Sequence, residues 1–399
     1  EKIKAEYYND AYEKLSDKKK EEIDEKVTNL FAKLNAELDI NNPFSRIREL
    51  SYDCIFGTDA NPRMSRTAKM NMIMHGDGHG GVHHNDGLLN VNGIFENRFD
   101  IILTNPPFGS RVEKSLKITE ADKYTDEERI KKYKKRYDVE GNPAYTNALK
   151  QINDNIGKSL LDLYKTGSMS TLTEVLFIER CLNLLKPGGR MGIVLPEGVL
   201  NNTNLQKIRD FVESKAKIIL ITSIPQDVFI ASGATVKPSL LFFRKFTEEE
   251  AKQWKTIAKK AEKEITKKYD TQIKAITEKL ELKGKESLNA DDKKNLRAEL
   301  KQIEDTIQNE IRSQMKRDFN YQIPIAEVEK AGISTTGAQI ENELEPLAQE
   351  FKKYREENKL WSTYAKSINY QITDEEIGRI RIVDGVVSEP EIFYAKSEK

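Results

Sequence analysis

Short apolar runs that alternate with amphipathic helical stretches constrain this chain more than any other feature of its sequence. Each run ends at a polar or turn-forming residue, as strands of a sheet do. We predict strands at residues 54–58, 99–104, 191–195, 217–224 and 239–243, the first two buried, and helices at 62–74, 126–137, 171–186 and 205–214. This order of elements predicts an α/β fold with a mostly parallel sheet.

Two stretches rich in Lys and Glu flank that alternation. The composition of residues 1–38 predicts a charged helix with a break near Ser16. Residues 247–317 lack proline and repeat Leu and Ile at helical spacing, which predicts two long helices with a turn near Lys283 or Asn289. We therefore divide the chain into a core (1–246), a charged helical hairpin or coiled coil that suits a partner (247–317), and a C-terminal segment that packs on the core or the partner (318–399).

Overall composition sets only broad limits on function. Lys+Arg and Asp+Glu each number 65, so any attraction to nucleic acid must come from local patches. The sequence shows no signal peptide and no apolar run that spans a bilayer, so we expect a soluble, cytoplasmic protein. Cys54 and Cys181 lie in apolar segments, and we predict that both are buried free thiols.

The tetrapeptide Asn105-Pro106-Pro107-Phe108, here called the corner, directly follows the predicted strand 99–104. Ligands of open α/β sheets bind at this end of the strands. The Asn105 side-chain oxygen and the Pro106 carbonyl can both accept hydrogen bonds from an exocyclic amine, which exposes its lone pair to a methyl donor. The prolines fix the backbone, and Phe108 offers a face for a planar base. The alternative is a polar turn that ends a strand; the position of the corner favours catalysis.

The corner resembles the Asn/Asp-Pro-Pro-Phe/Tyr motif of amino-methyltransferases of the N6-adenine class. Residues 55–62, 68–76, 181–196 and 225–237 resemble modification (M) subunits of type I restriction-modification systems, in the same order. The resemblance covers most of residues 50–245. It implies a class I S-adenosylmethionine-dependent methyltransferase fold, with a Rossmann-like sheet, and methyl transfer to N6 of an adenine flipped out of double-stranded DNA.

The resemblance also implies roles for individual residues. Asp59 would bind the ribose hydroxyls of S-adenosylmethionine, Asp86 would lie near its adenine, and Asn105 would contact the cofactor as well as the base. Phe229 would line the target-base pocket opposite Phe108. The alternatives are a turn or helix cap for Asp59, a turn at Asp86 and a core position for Phe229.

Other polar residues carry weaker signals. Lys237 and the basic run 129–136 are either phosphate contacts or solvated side chains. The chain's four histidines lie near two aspartates, but intervening glycines deny a rigid scaffold, so we predict no metal site. These residues are His75, Asp77, His79, His83, His84 and Asp86.

The Gly-rich cofactor loop that the resemblance implies is not found ahead of Asp59. We expect this loop and the first strand of the sheet upstream of Glu1, with that strand lying between those at 54–58 and 99–104. Both of these strands would then have an unpaired edge. We predict that residues 1–399 alone bind S-adenosylmethionine weakly or not at all.

The resemblance implies several partners and leaves alternatives open. A type I M subunit works with a specificity subunit, a second M subunit and, in the complete system, a restriction subunit. The enzymatic alternatives are a single-chain adenine methyltransferase and an enzyme that methylates protein glutamine or RNA. The alternative outside enzymes is a non-catalytic assembly protein with a degraded cofactor site, in which the helical hairpin is the functional part.

Overall fold

A computed structural model of the chain describes residues 2–39, 41–42, 45–76, 81–230, 233, 235–281, 289–361, 368–372 and 379–383. Four residues named above, Glu1, Asp77, His79 and Lys283, lie outside this part of the chain. The chain divides into two compact units. The first comprises Glu1–Ile94, Tyr124–Gln151 and Pro346–Lys399, and the second comprises Phe95–Lys123 and Ile152–Glu345. In the described residues, no helix is both long and apolar enough to cross a membrane.

The helices and strands of the described residues are numbered in chain order. The α-helices are α1 (Lys2–Tyr7), α2 (Asp10–Glu13), α3 (Asp17–Leu38), α4 (Arg46–Glu49), α5 (Pro62–Met74), α6 (Glu127–Tyr137), α7 (Ala144–Asn153), α8 (Thr173–Leu184), α9 (Glu197–Asn201), α10 (Gln206–Glu213), α11 (Asp227–Ile230), α12 (Glu248–Glu281), α13 (Ala290–Asp318) and α14 (Leu344–Glu357). The strands are β1 (Gly57–Asp59), β2 (Val82–His84), β3 (Phe99–Thr104), β4 (Asp138–Val139), β5 (Asn142–Pro143), β6 (Leu185–Pro196), β7 (Ala216–Ser223), β8 (Pro238–Lys245), β9 (Ile325–Glu327), β10 (Ala331–Ile333), β11 (Gln339–Asn342), β12 (Ile368–Ile372) and β13 (Arg379–Val383).

A five-stranded sheet in the order β3-β6-β8-β7-β9 organises the second unit and confirms the predicted α/β class. Strands β3 and β6 are parallel, as are β7 and β9, but β8 runs antiparallel to both β6 and β7. The prediction of a mostly parallel sheet is therefore wrong. Among the described residues between β7 and β8, the only helix is the four-residue α11, whereas a parallel return normally uses a full crossover helix.

The core of the second unit lies between α8 and the centre of the sheet. Helix α8 is buried on nearly all sides. The prediction of an amphipathic helix, with one face exposed to solvent, is therefore wrong for residues 171–186. Its Ile178 and Leu182 pack with Leu195 of β6 and Phe243 of β8. Removal of these apolar surfaces from water is the main term that holds the sheet and helix together.

The first unit contains a two-stranded parallel sheet, in which Asp59 of β1 pairs with His84 of β2. The predicted break in the N-terminal charged helix is confirmed, since Ser16 is the N-cap residue of α3. The strand predicted at 54–58 is shorter than expected. Residues 50–54 form a π-helical turn, and β1 begins only at Gly57.

The two cysteines have different environments. Cys54, at the end of that turn, is exposed, so the prediction of a buried thiol is wrong there. Cys181 of α8 is buried as predicted, and burial raises the pKa of its thiol to about 12. The apolar neighbours of Cys54 in sequence indicate a core position only if a strand forms, and the π-helical turn takes its place.

Helices α12 and α13 form the two long helices predicted within residues 247–317. Their shared seam contains Ala261, Ile265 and Ile307, all buried. The Asn289 side chain caps α13 by accepting a hydrogen bond from the Asp292 backbone N–H at 2.7 Å. Long helices in water depend on such packing more than on intrinsic propensity.

The hairpin joins the sheet at an aromatic cluster, the hairpin base, formed by Phe246, Trp254, Phe319 and Tyr321. Ring centroids of Phe319 lie 5.3 Å from Phe246, 5.2 Å from Trp254 and 6.2 Å from Tyr321. The Tyr321 hydroxyl also accepts a hydrogen bond from the Ile218 backbone N–H at 3.2 Å. These contacts fix both ends of the hairpin to β7 and β8.

Candidate active site

The corner lies at the C-terminal end of β3, where Thr104 pairs with Ile193 of the parallel strand β6. Asn105 and Pro107 are exposed, Pro106 is buried and Phe108 is half-buried. The alternation of exposed and buried positions continues that of the strand. The corner therefore presents its amide side chain to solvent while one proline anchors it.

The segment that follows the corner is bonded to the start of α8. Gly109 adopts a positive φ of 69°, which turns the chain there. Its backbone N–H donates to Glu174 Oε1 at 3.3 Å, the Thr173 N–H donates to the Ser110 carbonyl at 2.9 Å, and the Val112 N–H donates to the Thr171 carbonyl at 2.9 Å. The position of the corner thus depends on a helix about 70 residues later in the chain.

The aromatic residues predicted to line the target-base pocket lie together. The rings of Phe108 and Phe229 are 5.6 Å apart, centroid to centroid, at an interplanar angle of 74°. An edge-to-face contact of this kind leaves the rings neither parallel nor separated enough to hold a planar base between them. In this arrangement a base can stack on one of the two rings. To place a base between both rings, the Phe229 side chain must move.

Strand β3 is the terminal strand of its sheet and is less buried than predicted. It pairs with β6 on one side and, in the described residues, with no strand on the other. Ile101 is 58% exposed and Leu103 is 78% exposed. An apolar run with the pattern of a buried strand therefore has, within the described residues, an unpaired edge and exposed side chains on one face.

Asp59 and Asp86, the predicted cofactor ligands, lie at the ends of the paired strands β1 and β2. Asp59 Oδ1 accepts a hydrogen bond from the Asn61 N–H at 2.7 Å, and Asp86 Oδ1 accepts one from the Leu88 N–H at 2.9 Å. The Asn85 N–H donates to the Asp59 carbonyl at 3.2 Å, which ties the two turns together. Asn61, not Asp59, caps α5. Each carboxylate thus stabilises a turn, because one of its oxygens accepts a hydrogen bond from the backbone N–H two residues later.

The described histidines do not converge. Neighbouring side chains of β2 point to opposite faces, so His83 is buried and His84 is exposed. His83 Nδ1 lies 2.9 Å from Asn92 Nδ2, and His84 Nε2 lies 3.1 Å from the Ala60 carbonyl oxygen. In the described part of the chain, no group of three His, Cys, Asp or Glu side chains is arranged to hold a metal ion.

Burial dominates the electrostatics of His83. Loss of solvation lowers the pKa of its imidazole to about 4, and the nearby cations Lys69 and Arg129 lower it further in the same direction. The side chain is therefore neutral at physiological pH. His83 packs inside the first unit as a neutral polar residue.

Two of the candidate phosphate contacts, Lys237 and Arg129 of the basic run, have protein partners. Lys237 Nζ lies 3.4 Å from Glu327 Oε1, and both side chains are well exposed. Arg129, at the start of the basic helix α6, pairs with Asp126 at 3.3 Å. Exposed pairs of this kind are weak and leave the cations able to exchange partners.

Sequence reasoning missed Glu174. This residue lies in the first turn of α8 with only 3% of its surface exposed, and it binds the amide that follows the corner. The available signal was a carboxylate directly before the apolar run 175–178, since a buried charge demands a specific partner.

Comparison with known proteins identifies the family. Residues 44–139 and 112–327 match the family model described as N-6 DNA Methylase. The two matches together reach from residue 44 to residue 327, well over half of the 399 residues. The chain belongs to the N-6 DNA methylase family. This confirms the N6-adenine class to which the corner motif pointed, and the matched region of the chain includes the corner, Asp59, Asp86 and Phe229.

Solved structures with partial similarity to this chain include restriction-system proteins. A modification subunit of a putative type I restriction enzyme from Vibrio vulnificus YJ016 is 21% identical, with a TM-score of 0.34, over 50% of this chain and 34% of that chain. The M protein of the type I restriction enzyme EcoKI is 20% identical, with a TM-score of 0.33, over 53% and 35%. A putative class I S-adenosylmethionine-dependent methyltransferase from Listeria monocytogenes is 19% identical, with a TM-score of 0.29, over 50% and 48%. The chain spans about a third of the length of the two modification proteins.

Proposed function

We propose that this chain is part of a DNA adenine methyltransferase that transfers the methyl group of S-adenosylmethionine to N6 of a flipped adenine. The observation that carries the proposal is the exposed Asn105 side chain at the C-terminal end of β3, beside the Phe108 and Phe229 rings. Membership of the N-6 DNA methylase family supports the choice of DNA as substrate.

In this mechanism the corner binds and orients the adenine amine. The Asn105 Oδ1 and the Pro106 carbonyl accept its two hydrogens, which favours a pyramidal nitrogen with an available lone pair. The Phe108 face stacks on the purine ring. A strong general base is unnecessary, because the amine becomes acidic once it is alkylated and then releases a proton to water.

Asp59 and Asp86 suit the cofactor that the proposal requires. Each carboxylate uses Oδ1 for its turn, and Oδ2 has no hydrogen bond within the described residues. The free oxygens would accept hydrogen bonds from the ribose hydroxyls and from the adenine amine of S-adenosylmethionine. When bound, this cofactor supplies an electrophilic methyl group on a sulfonium.

We further propose that the protein is the modification subunit of a type I restriction-modification system. The resemblance of residues 50–245 to such subunits supports this role. A specificity subunit and a second modification subunit would be its partners, with a restriction subunit in the complete system, and the α12–α13 hairpin would serve as a partner surface. Its place of action would be the cytoplasm, where the DNA substrate of a bacterial restriction system lies.

The test uses the full-length gene product purified with and without the products of neighbouring genes. Each preparation is incubated with genomic DNA and S-adenosylmethionine, and N6-methyladenine is quantified by mass spectrometry of the digested DNA. Methylation only in the presence of a partner supports the subunit role, and methylation by the isolated product supports a single-chain enzyme. Absence of N6-methyladenine in every combination, with cofactor binding absent as well, leaves the assembly-protein alternative and rejects the proposal.

A further inference from the structure

Glu174 lies next to Gly109, the residue that directly follows the corner, and only 3% of the Glu174 surface is exposed. Its Oε1 accepts a hydrogen bond from the Gly109 N–H at 3.3 Å. Two backbone hydrogen bonds, from Thr173 to Ser110 and from Val112 to Thr171, hold the same two segments side by side. Glu174 is therefore a side-chain link between α8 and the chain that follows the corner, in addition to the hydrogen bond from Arg111 Nη1 to Thr171 Oγ1 at 3.2 Å.

The second oxygen of this carboxylate is in an unusual state. Glu174 Oε2 is inaccessible to solvent and has no hydrogen-bond partner in the described residues. Because both oxygens belong to one carboxylate, Oε2 also lies next to the turn at Gly109. Burying an acceptor of a carboxylate without a donor is unfavourable, and such unmet groups concentrate where a protein has a function to perform.

Glu179, one and a half turns further along α8, shows that the helix can satisfy a buried glutamate fully. It is 4% exposed, and its Oε1 accepts from the Lys165 N–H at 3.1 Å. Its Oε2 accepts from both the N–H and the hydroxyl of Thr166, each at 2.8 Å. The incomplete bonding of Glu174 is thus not a general property of the glutamates buried in α8.

The location in the first turn of a 12-residue helix favours a negative side chain, since the backbone dipole is positive at that end. Both oxygens of an ionised carboxylate are hydrogen-bond acceptors. A glutamine at the same position keeps one oxygen for Gly109 but presents an N–H2 donor where Oε2 now lies. The Glu174→Gln variant therefore tests the role of Oε2 separately from that of Oε1.

We propose that Glu174 is a positioning residue for the corner, in which Oε1 fixes the Gly109 amide and Oε2 is an acceptor for an N–H or O–H donor at the corner when the flipped base is bound. The inference rests on the proposed function, since it assigns a residue that acts through the corner. The residue does not touch the base; it sets where the Asn105 and Phe108 side chains point.

The test compares Glu174→Gln with Glu179→Gln in the full-length protein with its partners. Steady-state methylation gives kcat and the KM for DNA, and thermal unfolding gives the melting temperature. We expect Glu174→Gln to lower kcat roughly 10- to 100-fold with KM within about twofold, as for a small misplacement of reacting groups. Glu179→Gln should lower the melting temperature and keep kcat for the folded protein. A normal kcat for folded Glu174→Gln overturns the proposal.

A second variant covers the case in which Glu174→Gln does not fold. Glu174→Met removes the buried polar oxygens while keeping the length of the side chain, so it should fold. We expect it to show the same loss of kcat and faster hydrogen–deuterium exchange in residues 105–112, a change that Glu179→Met should not produce. Normal kcat and normal exchange in Glu174→Met also overturn the proposal.

Controls separate this inference from the function on which it rests. If the wild-type complex forms no N6-methyladenine, the proposed function fails, and the role of Glu174 fails with it. If the wild type methylates DNA and Asn105→Ala does not, but the Glu174 variants match the wild type, the function stands and only the inference fails.

Discussion

The corner and the hairpin base belong to the same unit but differ in how completely their groups are bonded and packed. At the hairpin base, Phe319 contacts three aromatic rings, and Glu250 accepts from Arg244 at 2.6 Å and pairs with Lys217 at 2.7 Å. At the corner, Asn105 is exposed and Glu174 Oε2 has no partner within the described chain. Completed contacts stabilise the fold, whereas incomplete ones remain available to a ligand.

The largest effect that tests this contrast is expected at Asn105. Asn105→Ala removes an acceptor for the adenine amine and should lower the methylation rate by at least about 100-fold. The melting temperature should not change, because the side chain is exposed. The matched control is Asn320→Ala, an exposed asparagine beside the hairpin base, which should retain normal activity and stability. Normal methylation by Asn105→Ala would contradict the mechanism.

The opposite pattern is expected at Phe319. Phe319→Ala should reduce the free energy of unfolding by about 3–5 kcal/mol, because it leaves a cavity among packed rings. Methylation per folded molecule should stay at the wild-type level. Phe229→Ala at the corner should show a smaller loss of stability and a larger loss of activity, since its ring is half-buried. Urea unfolding measures the stability of the two variants, and methylation assays measure their activity. Equal losses of stability for Phe319→Ala and Phe229→Ala would contradict the difference that we describe between the hairpin base and the corner.

A pH-dependent effect of intermediate size is expected at Glu250. Burial alone raises the pKa of this carboxyl, but hydrogen bonds from Arg244 and Lys217 outweigh burial and lower its pKa from 4.5 to about 2. Because the folded-state pKa lies below the unfolded value, the stabilisation is complete above pH 4.5 and disappears as the pH falls towards 2. The stability difference between wild type and Glu250→Gln, measured by urea unfolding, should shrink over that range. A difference that is the same at pH 6 and pH 3 would assign the stability to packing instead.

The smallest effect is expected where the hairpin contacts α10. Arg312 donates to both oxygens of Asp210, at 2.8 and 2.7 Å, but both side chains are partly exposed. A double-mutant cycle with Arg312→Ala and Asp210→Ala should give a coupling of about 1 kcal/mol, because solvent screens the pair. Methylation by the folded variants should be normal. A coupling near zero would show that other contacts hold the hairpin, among them the aromatic cluster and the ion pairs of Glu250.

Local pattern predicted several elements with the observed bounds. The strand at 99–104 and the helix at 62–74 match β3 and α5, and the two long helices lie where the repeat of Leu and Ile placed them. Each depends on periodicity and turn residues within one stretch of chain, which the sequence states directly. The corner followed from the same local pattern, since its four residues are consecutive. Its chemical role and those of Asp59, Asp86 and Phe229 remain predictions.

Long-range contacts decided what local pattern could not. The apolar composition of β3 predicts burial, but the exposure of Leu103 depends on which strands lie beside it. The direction of β8 depends on how the chain returns to the sheet after β7. Whether the oxygens of Glu174 and Glu179 find hydrogen-bond donors depends on residues outside α8.

The sequence alone determined most of the helices and strands between residues 57 and 318, and it singled out Asn105–Phe108 as the short segment for which we propose an amine-binding role. Tertiary structure alone decided how the strands are ordered, which apolar faces are covered and which buried carboxylate keeps an open acceptor. The physical reason is that backbone periodicity is a property of neighbouring residues, whereas burial and hydrogen-bond satisfaction are properties of groups brought together from distant parts of the chain.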